Sequence, residues 1–200
     1  GCAVIDSGKR KEDDGVYHTT LLIGEMEMAR FLTDYVDVDR FLPLCRQCSN
    51  YNKSWGCPPF DFSPMEFWMR FRRLRIFAVK MEVDPNIPGK VYSAKEKVHI
   101  YRQYLQLESD QLYRKLYRLE QETPGSMLLY PGNCHLCGSE ACARSLGQPC
   151  RYPKKLRYSM EALGGDVSRI AEEILDCPLQ WIDGEKLPEY LIQLGGLLYP

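Results

Sequence analysis

Nine cysteines in 200 residues, seven of them in two tight groups, constrain this chain more than any other feature of its sequence. They are Cys2, Cys45, Cys48, Cys57, Cys134, Cys137, Cys142, Cys150 and Cys177. Small secreted domains use dense cysteines as disulfides because their cores are too small to fold alone. A chain of 200 residues, 44% hydrophobic and 12% aromatic, buries a sufficient core without staples. The odd count also leaves at least one thiol without a partner in the chain. Clustered thiols in a reducing, cytoplasmic setting bind metal or do redox chemistry, and metal is the reading taken here.

The second group runs Cys134, Cys137, Cys142, Cys150, with gaps of two, four and seven residues. Two residues between cysteines let one tight turn present both thiolates to a single centre. Gly132, Gly138, Gly147 and Pro149 supply the turns that wrapping demands. Arg151 adds positive charge beside a thiolate-ligated group, and Pro153 follows. Structural four-cysteine zinc sites usually show two knuckle pairs across a spacer, whereas this run has one pair and two single ligands. Short unequal gaps are nearer to cluster-binding loops, so an iron–sulfur cluster, of the [4Fe-4S] type, is expected and zinc is the alternative.

The first group, Cys45, Cys48 and Cys57, has gaps of two and eight and ends in Cys57-Pro58-Pro59. Tyr51, Trp55, Phe60 and Phe62 surround it and are placed to exclude water, although each read singly is a core residue. Three thiols fall one short of a closed site. Cys177, Cys2, a histidine or a carboxylate supplies the fourth ligand, or one iron keeps an open position, or both groups share one centre. The spacing leaves these open, along with the count of one or two clusters. The gaps of three then two that mark radical S-adenosylmethionine chemistry are absent from both groups.

The expected fold is α/β or α+β: a single domain with a small mixed sheet, packed helices and two cysteine-rich loops at neighbouring strand ends. Residues 1–15 read as a mobile lead-in and 16–200 as the metal-binding domain. Strands are expected over Val16–Ile23, Arg75–Val83, Met127–Tyr130 and Tyr190–Tyr199. A helix is expected over Glu25–Tyr35 and a helical turn over Val38–Leu42. Ser63-Pro64-Met65-Glu66 predicts a helix to about Leu74, and Ser93 to Glu96 a long one to Glu122. The seam of the long helix is Val98, Tyr101, Leu105, Leu112, Leu116 and Leu119. Turn residues fill 84–89, and Asp166 caps a helix through Leu175.

Other chemistry is thinly represented. The net charge of −1 gives no footprint for nucleic acid, and no apolar run reaches the length of a membrane span. The chain opens Gly1-Cys2, which reads as a trimmed start, with no secretory pattern. His18 and His99 read as structural, and His135 points away if its flanking thiolates bind. The run Arg70, Arg72, Arg73, Arg75 suits a helix end, with docking of an acidic redox partner protein as the other reading. No Walker loop, dinucleotide fingerprint or zinc-protease motif is present, so catalytic residues are unassigned and the oligomeric state is open.

The two groups together resemble the predicted metal-binding proteins of domain of unknown function 2284. The resemblance rests on Cys45-x-x-Cys48, Tyr51, Trp55 and Cys57-Pro58-Pro59, then on Pro131 to Cys137, Cys142 and Gly147 to Pro153. It continues through Arg157-Tyr158-Ser159-Met160-Glu161-Ala162-Leu163-Gly164-Gly165-Asp166-Val167 and spans the chain from about Gly24 onward. It implies metal binding through Cys45, Cys48, Cys57, Cys134, Cys137, Cys142 and Cys150, with no reaction assigned. Arg157, Ser159 and Glu161 follow the second group at an expected helix start and are read as hydrogen-bonding its loop. The function expected is electron transfer or a small reductive reaction. A zinc protein used for interaction or metal handling, without catalysis, is the alternative.

Overall fold

In the computed structural model, which describes residues 2–12, 15–84 and 91–200, five strands form one sheet. They are β1 (Ala3–Glu12), β2 (Gly15–Glu27), β3 (Arg73–Val83), β4 (Met127–Leu129) and β5 (Leu191–Tyr199). Their order is β1-β2-β3-β5-β4, and every ladder is antiparallel. Of the two expected classes the α+β form is therefore the one observed, with an antiparallel sheet in place of a mixed one. The segment read as a lead-in holds β1, which pairs with β2 from Ala3 opposite Ile23 to Glu12 opposite Gly15. Its low apolar content misled the reading, because an edge strand needs only backbone groups to join a ladder. The turn expected over 84–89 falls, past Asp84, outside the described residues.

The centre of the sheet is buried on both faces, and β5 is accordingly an almost continuous buried run. Leu74, Ile76 and Ala78 of β3, with Ile192, Leu194 and Leu198 of β5, join one core that includes Phe31, Trp68 and Leu163. Val79 of β3 and Leu197 of β5 face the other way, onto Leu112 and Leu116 of the long helix.

The five helices are α1 (Met28–Tyr35), α2 (Val38–Gln47), α3 (Pro64–Trp68), α4 (Ala94–Glu122) and α5 (Val167–Arg169). Helix α5 continues as a wider turn over Ile170–Ile174. The long helix starts where its capping box says: Ser93 Oγ accepts the Glu96 N–H at 3.3 Å, and Glu96 accepts the Ser93 N–H at 2.8 Å. Its seam holds, with Val98, Tyr101, Leu112 and Leu116 buried and Leu105 and Leu119 partly so.

Two elements end elsewhere than expected. Strand β2 runs through Gly24 to Glu27 because its ladder with β3 persists there. Helix α3 stops at Trp68 rather than near Leu74, because Arg73 and Arg75 already belong to β3 and pair with Glu25 across the ladder at 3.0 and 2.9 Å. Arg73 and Arg75 thus serve cross-strand pairing, while Arg70 stays at the helix end and donates to Phe67 O of α3 at 3.2 Å.

The same core sets where the cysteines stand. Trp68 is fully buried, packs on Phe31 at 5.3 Å and donates its indole N–H to Leu163 O at 2.9 Å. That contact ties α3 to the segment following the second cysteine group. A bridge from Val36 to Gly165 and the bond from Asp37 N–H to Gly164 O at 2.9 Å fix the start of α2 against it. Gly164 is required there. Its φ is +84°, and a Cβ would stand 2.8 Å from the Val38 Cα.

Candidate metal centres

The second group occupies the excursion that leaves β4 and is closed at its base by Tyr130 N–H donating to Tyr158 O at 2.8 Å. Cys134, Cys137, Cys142 and Cys150 all line one cavity of about 360 Å³. The sequence cannot bring them together by local turns alone, since one helical turn, Ala143–Leu146, separates Cys142 from Cys150.

Two of these four sulfurs accept a hydrogen bond. The backbone N–H of Tyr152 reaches Cys150 Sγ at 3.4 Å. The Arg151 guanidinium donates to Ala141 O at 2.7 Å, and the charges of Cys137 and Cys142 hold its pKa up. The donor to Cys142 comes from the other group: Trp55 N–H lies 3.4 Å from its Sγ. Donors aimed at sulfur favour the thiolate over the thiol. Opposing them, burial pushes the Cys134 thiol up to about 11. A cation entering the cavity therefore displaces the proton of Cys134, which burial has kept neutral.

The first group is less of a loop than expected. Cys45 sits in the last turn of α2, whose end is marked by Cys48 N–H donating to Cys45 O at 3.0 Å. Cys45, Cys48 and Cys57 line a separate cavity of about 220 Å³. Asn50 N–H reaches Cys48 Sγ at 3.5 Å, and the Cys57 backbone N–H donates to Ser54 O at 3.1 Å. Burial pushes the Cys57 thiol up to about 11, and desolvation, then Cys48 and Glu161, raise Cys45.

Of the sources considered for a fourth group, a carboxylate is the one present on this cavity. Glu161 lines it beside Ser159 and Asn133. Enclosure by protein raises the Glu161 carboxyl pKa, against a hydrogen bond from Ser159. Cys177 instead lies in the core, and Cys2 packs against that core's edge. His18 and His99 line neither thiol cavity, and His135 lines the larger one, its N–H donated to the Tyr130 hydroxyl at 3.2 Å.

Arg157 bonds the end of the loop, donating from Nη1 to Lys154 O at 3.0 Å and to Leu156 O at 2.7 Å. Its guanidinium pairs with Glu120 at the end of α4, with Nε 2.9 Å from Oε2. The same carboxylate accepts the Leu128 N–H of β4 at 2.6 Å. Glu161 and Ser159, read as belonging to the second group, face the first one, because the turn at Glu161–Leu163 folds back onto α2.

The two cavities have a common wall. The segment Ser54-Trp55-Gly56 lines the larger cavity, and Cys57, next in sequence, lines the smaller. A Cβ on Gly56 would stand 3.1 Å from that of Cys134, which is how closely the groups approach. Arg144 locks the wall by donating to Ser54 O, Cys57 O and Pro59 O at 3.1, 2.7 and 2.6 Å, with its guanidinium 4.9 Å from the Trp55 ring centre. Trp55 Nε1 closes the contact on Gln148 O at 3.0 Å. No sequence signal marked Arg144, because its partners are carbonyl oxygens that any residue carries.

All nine cysteines are free thiols. Among the described residues no set of three or more histidine, cysteine, aspartate and glutamate side chains is already gathered as for a single metal ion. The thiols border cavities rather than converge on a point. The donor set nonetheless fits a thiolate-held group: four sulfurs on one cavity, two of them accepting backbone hydrogen bonds, with a guanidinium beside them. No helix among the described residues is long and apolar enough to cross a membrane.

The family described as predicted metal-binding protein (DUF2284) matches residues 32–199 of the chain, so both cysteine groups lie inside the match. No curated protein and no solved structure matches it.

Proposed function

The chain belongs to the predicted metal-binding protein family DUF2284, and on that premise we propose that it is a cytoplasmic iron–sulfur protein serving electron transfer or a small reductive reaction. The observation that carries the reading is the set of four thiols, Cys134, Cys137, Cys142 and Cys150, on one cavity of about 360 Å³, with backbone N–H groups donating to the sulfurs of Cys142 and Cys150. A cavity of that size suits a polyatomic group, of the [4Fe-4S] kind, more than a lone zinc ion. Bound there, such a cluster would supply one-electron chemistry.

The protein's own groups have definable roles in that reading. Backbone donors from Trp55 and Tyr152 stabilise negative charge on sulfur, a lever on the potential of the site. Arg151 balances part of that charge, and the Trp55 segment restricts water on one side. Cys45, Cys48 and Cys57, with Glu161 as the neighbouring carboxyl, would hold a second centre across the shared wall. That wall suits electron exchange between neighbours. Leu146 and Tyr152, 62% and 44% exposed on the cysteine excursion, offer an apolar spot for a redox partner protein.

Purification without oxygen tests the proposal. Brown protein containing iron and acid-labile sulfide, bleaching on reduction, is the expected result. Colourless protein with stoichiometric zinc would overturn it in favour of a structural or metal-handling role.

A further inference from the structure

The smaller thiol cavity continues on its far side. It shares Cys45, Tyr51, Pro58, Glu161 and Ala162 with an adjoining chamber of about 210 Å³. Together the two reach the scale of about 300–1,000 Å³ at which proteins enclose small molecules. The outer chamber is walled by Phe41 and Leu42 of α2 and by Pro59, Phe60 and Phe62. The Phe60 and Phe62 rings stack at 4.8 Å and present flat apolar surface. Polar side chains on this lining are few: Tyr51, Arg46 and, at the junction with the thiols, Glu161.

We propose that this chamber is a binding site for a small uncharged ring compound bearing one carbonyl or hydroxyl oxygen, its ring against the phenylalanine walls and its oxygen at Tyr51, whose hydroxyl donates to a carbonyl, with Glu161 beside it to accept from a hydroxyl. The class follows from the lining. Flat apolar walls favour a ring, and Tyr51 with Glu161 gives one polar corner. A phosphate-bearing ligand would need several donors, and Arg46, exposed on α2, is the one cationic side chain on the lining. A carboxylate ligand would be brought towards Glu161 at the cost of desolvating both.

The site deepens the proposed function, since it puts a substrate beside Cys45, and in that sense rests on it. Its test does not. Acetophenone is titrated into the protein as purified, followed by saturation-transfer NMR and calorimetry, with benzoate and adenosine monophosphate as controls. Saturable acetophenone binding with a Kd below about 1 mM is expected, in keeping with a ligand of that size. Phe41→Trp and Leu42→Trp, which fill the chamber from α2 at positions that do not line the thiol cavity, should each weaken binding at least tenfold. Metal content and circular dichroism should stay those of the parent.

Absence of saturable binding overturns the proposal. So does binding that both plugged variants leave intact, or benzoate or the nucleotide binding as tightly as the ketone. Brown iron protein that ignores acetophenone would sink the chamber alone. Colourless zinc protein that binds it would sink the iron–sulfur reading and leave the chamber as a ligand site.

Discussion

Arg144 Nη1 lies 2.7 Å from the carbonyl oxygen of Cys57, a residue 87 positions away, and through that bond the second cysteine group holds the backbone of the first. With the companion bonds to Ser54 O and Pro59 O, one guanidinium satisfies three carbonyls of the segment that separates the thiol cavities.

Replacing Arg144 should therefore affect the group to which it does not belong. Arg144→Ala is expected to cost roughly 2 kcal/mol of stability, typical of breaking a charge-assisted network. It should also speed metal loss from the Cys45/Cys48/Cys57 side. Arg144→Lys should rescue little, since an ammonium cannot span three carbonyls as a planar fork does. Chelator-release kinetics and denaturant midpoints read both effects; parental release rates in Arg144→Ala would show that the clamp is dispensable.

Counting metal in cysteine variants separates one centre from two. Cys57→Ala should lose the metal of the smaller cavity and keep that of the larger, and Cys150→Ala should do the reverse. Iron and sulfide per chain, with an electron paramagnetic resonance spectrum of each variant, provide the check. Loss of everything in both variants would mean a single shared site.

Glu120 joins α4, β4 and the return of the cysteine excursion, through Leu128 N–H and Arg157, with side chains only 6% and 14% exposed in the ion pair. Glu120→Ala leaves a largely buried guanidinium unpaired and should cost about 3–5 kcal/mol. Adding Arg157→Met removes the orphan charge, so the double variant should be more stable than the single one. Urea unfolding of the three proteins gives the comparison, and additive losses would contradict it.

Alkaline pH should weaken the metal-free protein. Burial raises the thiols of Cys57 and Cys134 from 9.0 to about 11. A raised folded pKa contributes stability that is fully present below the unfolded value and is lost as pH rises through the folded one. Denaturant midpoints under reductant should accordingly fall between pH 9 and about 11, less steeply in Cys57→Ala. The same protons must leave when metal binds, so loading near neutral pH should acidify weakly buffered solution. A midpoint that is flat across this window would mean that these thiols titrate normally.

How far the sequence could be read follows from the range of each interaction. Ser93 with Glu96, Ser63 with Glu66 and Asp166 with Arg169 act within one helical turn, so those starts were legible from the residues themselves. Strands β3 and β5 were legible as short stretches rich in apolar residues. Strand β1 was not legible, because its pairing is made by the backbone. Glu161 was legible as a polar residue near the second group, yet its assignment to the first needed the fold-back onto α2.

The sequence by itself determined that seven cysteines stand in two groups and that four of them lie close enough along the chain to surround one centre. Tertiary structure alone decided that the groups share a wall, that Trp55 of one completes the hydrogen bonding of Cys142 in the other, and that Glu161 sits between thiols and an apolar chamber. The reason is physical. Thiol spacing is carried by residue identity, whereas the wall is built from backbone N–H and C=O groups that every residue offers, and only packing around Trp68 and Gly164 selects which of them meet.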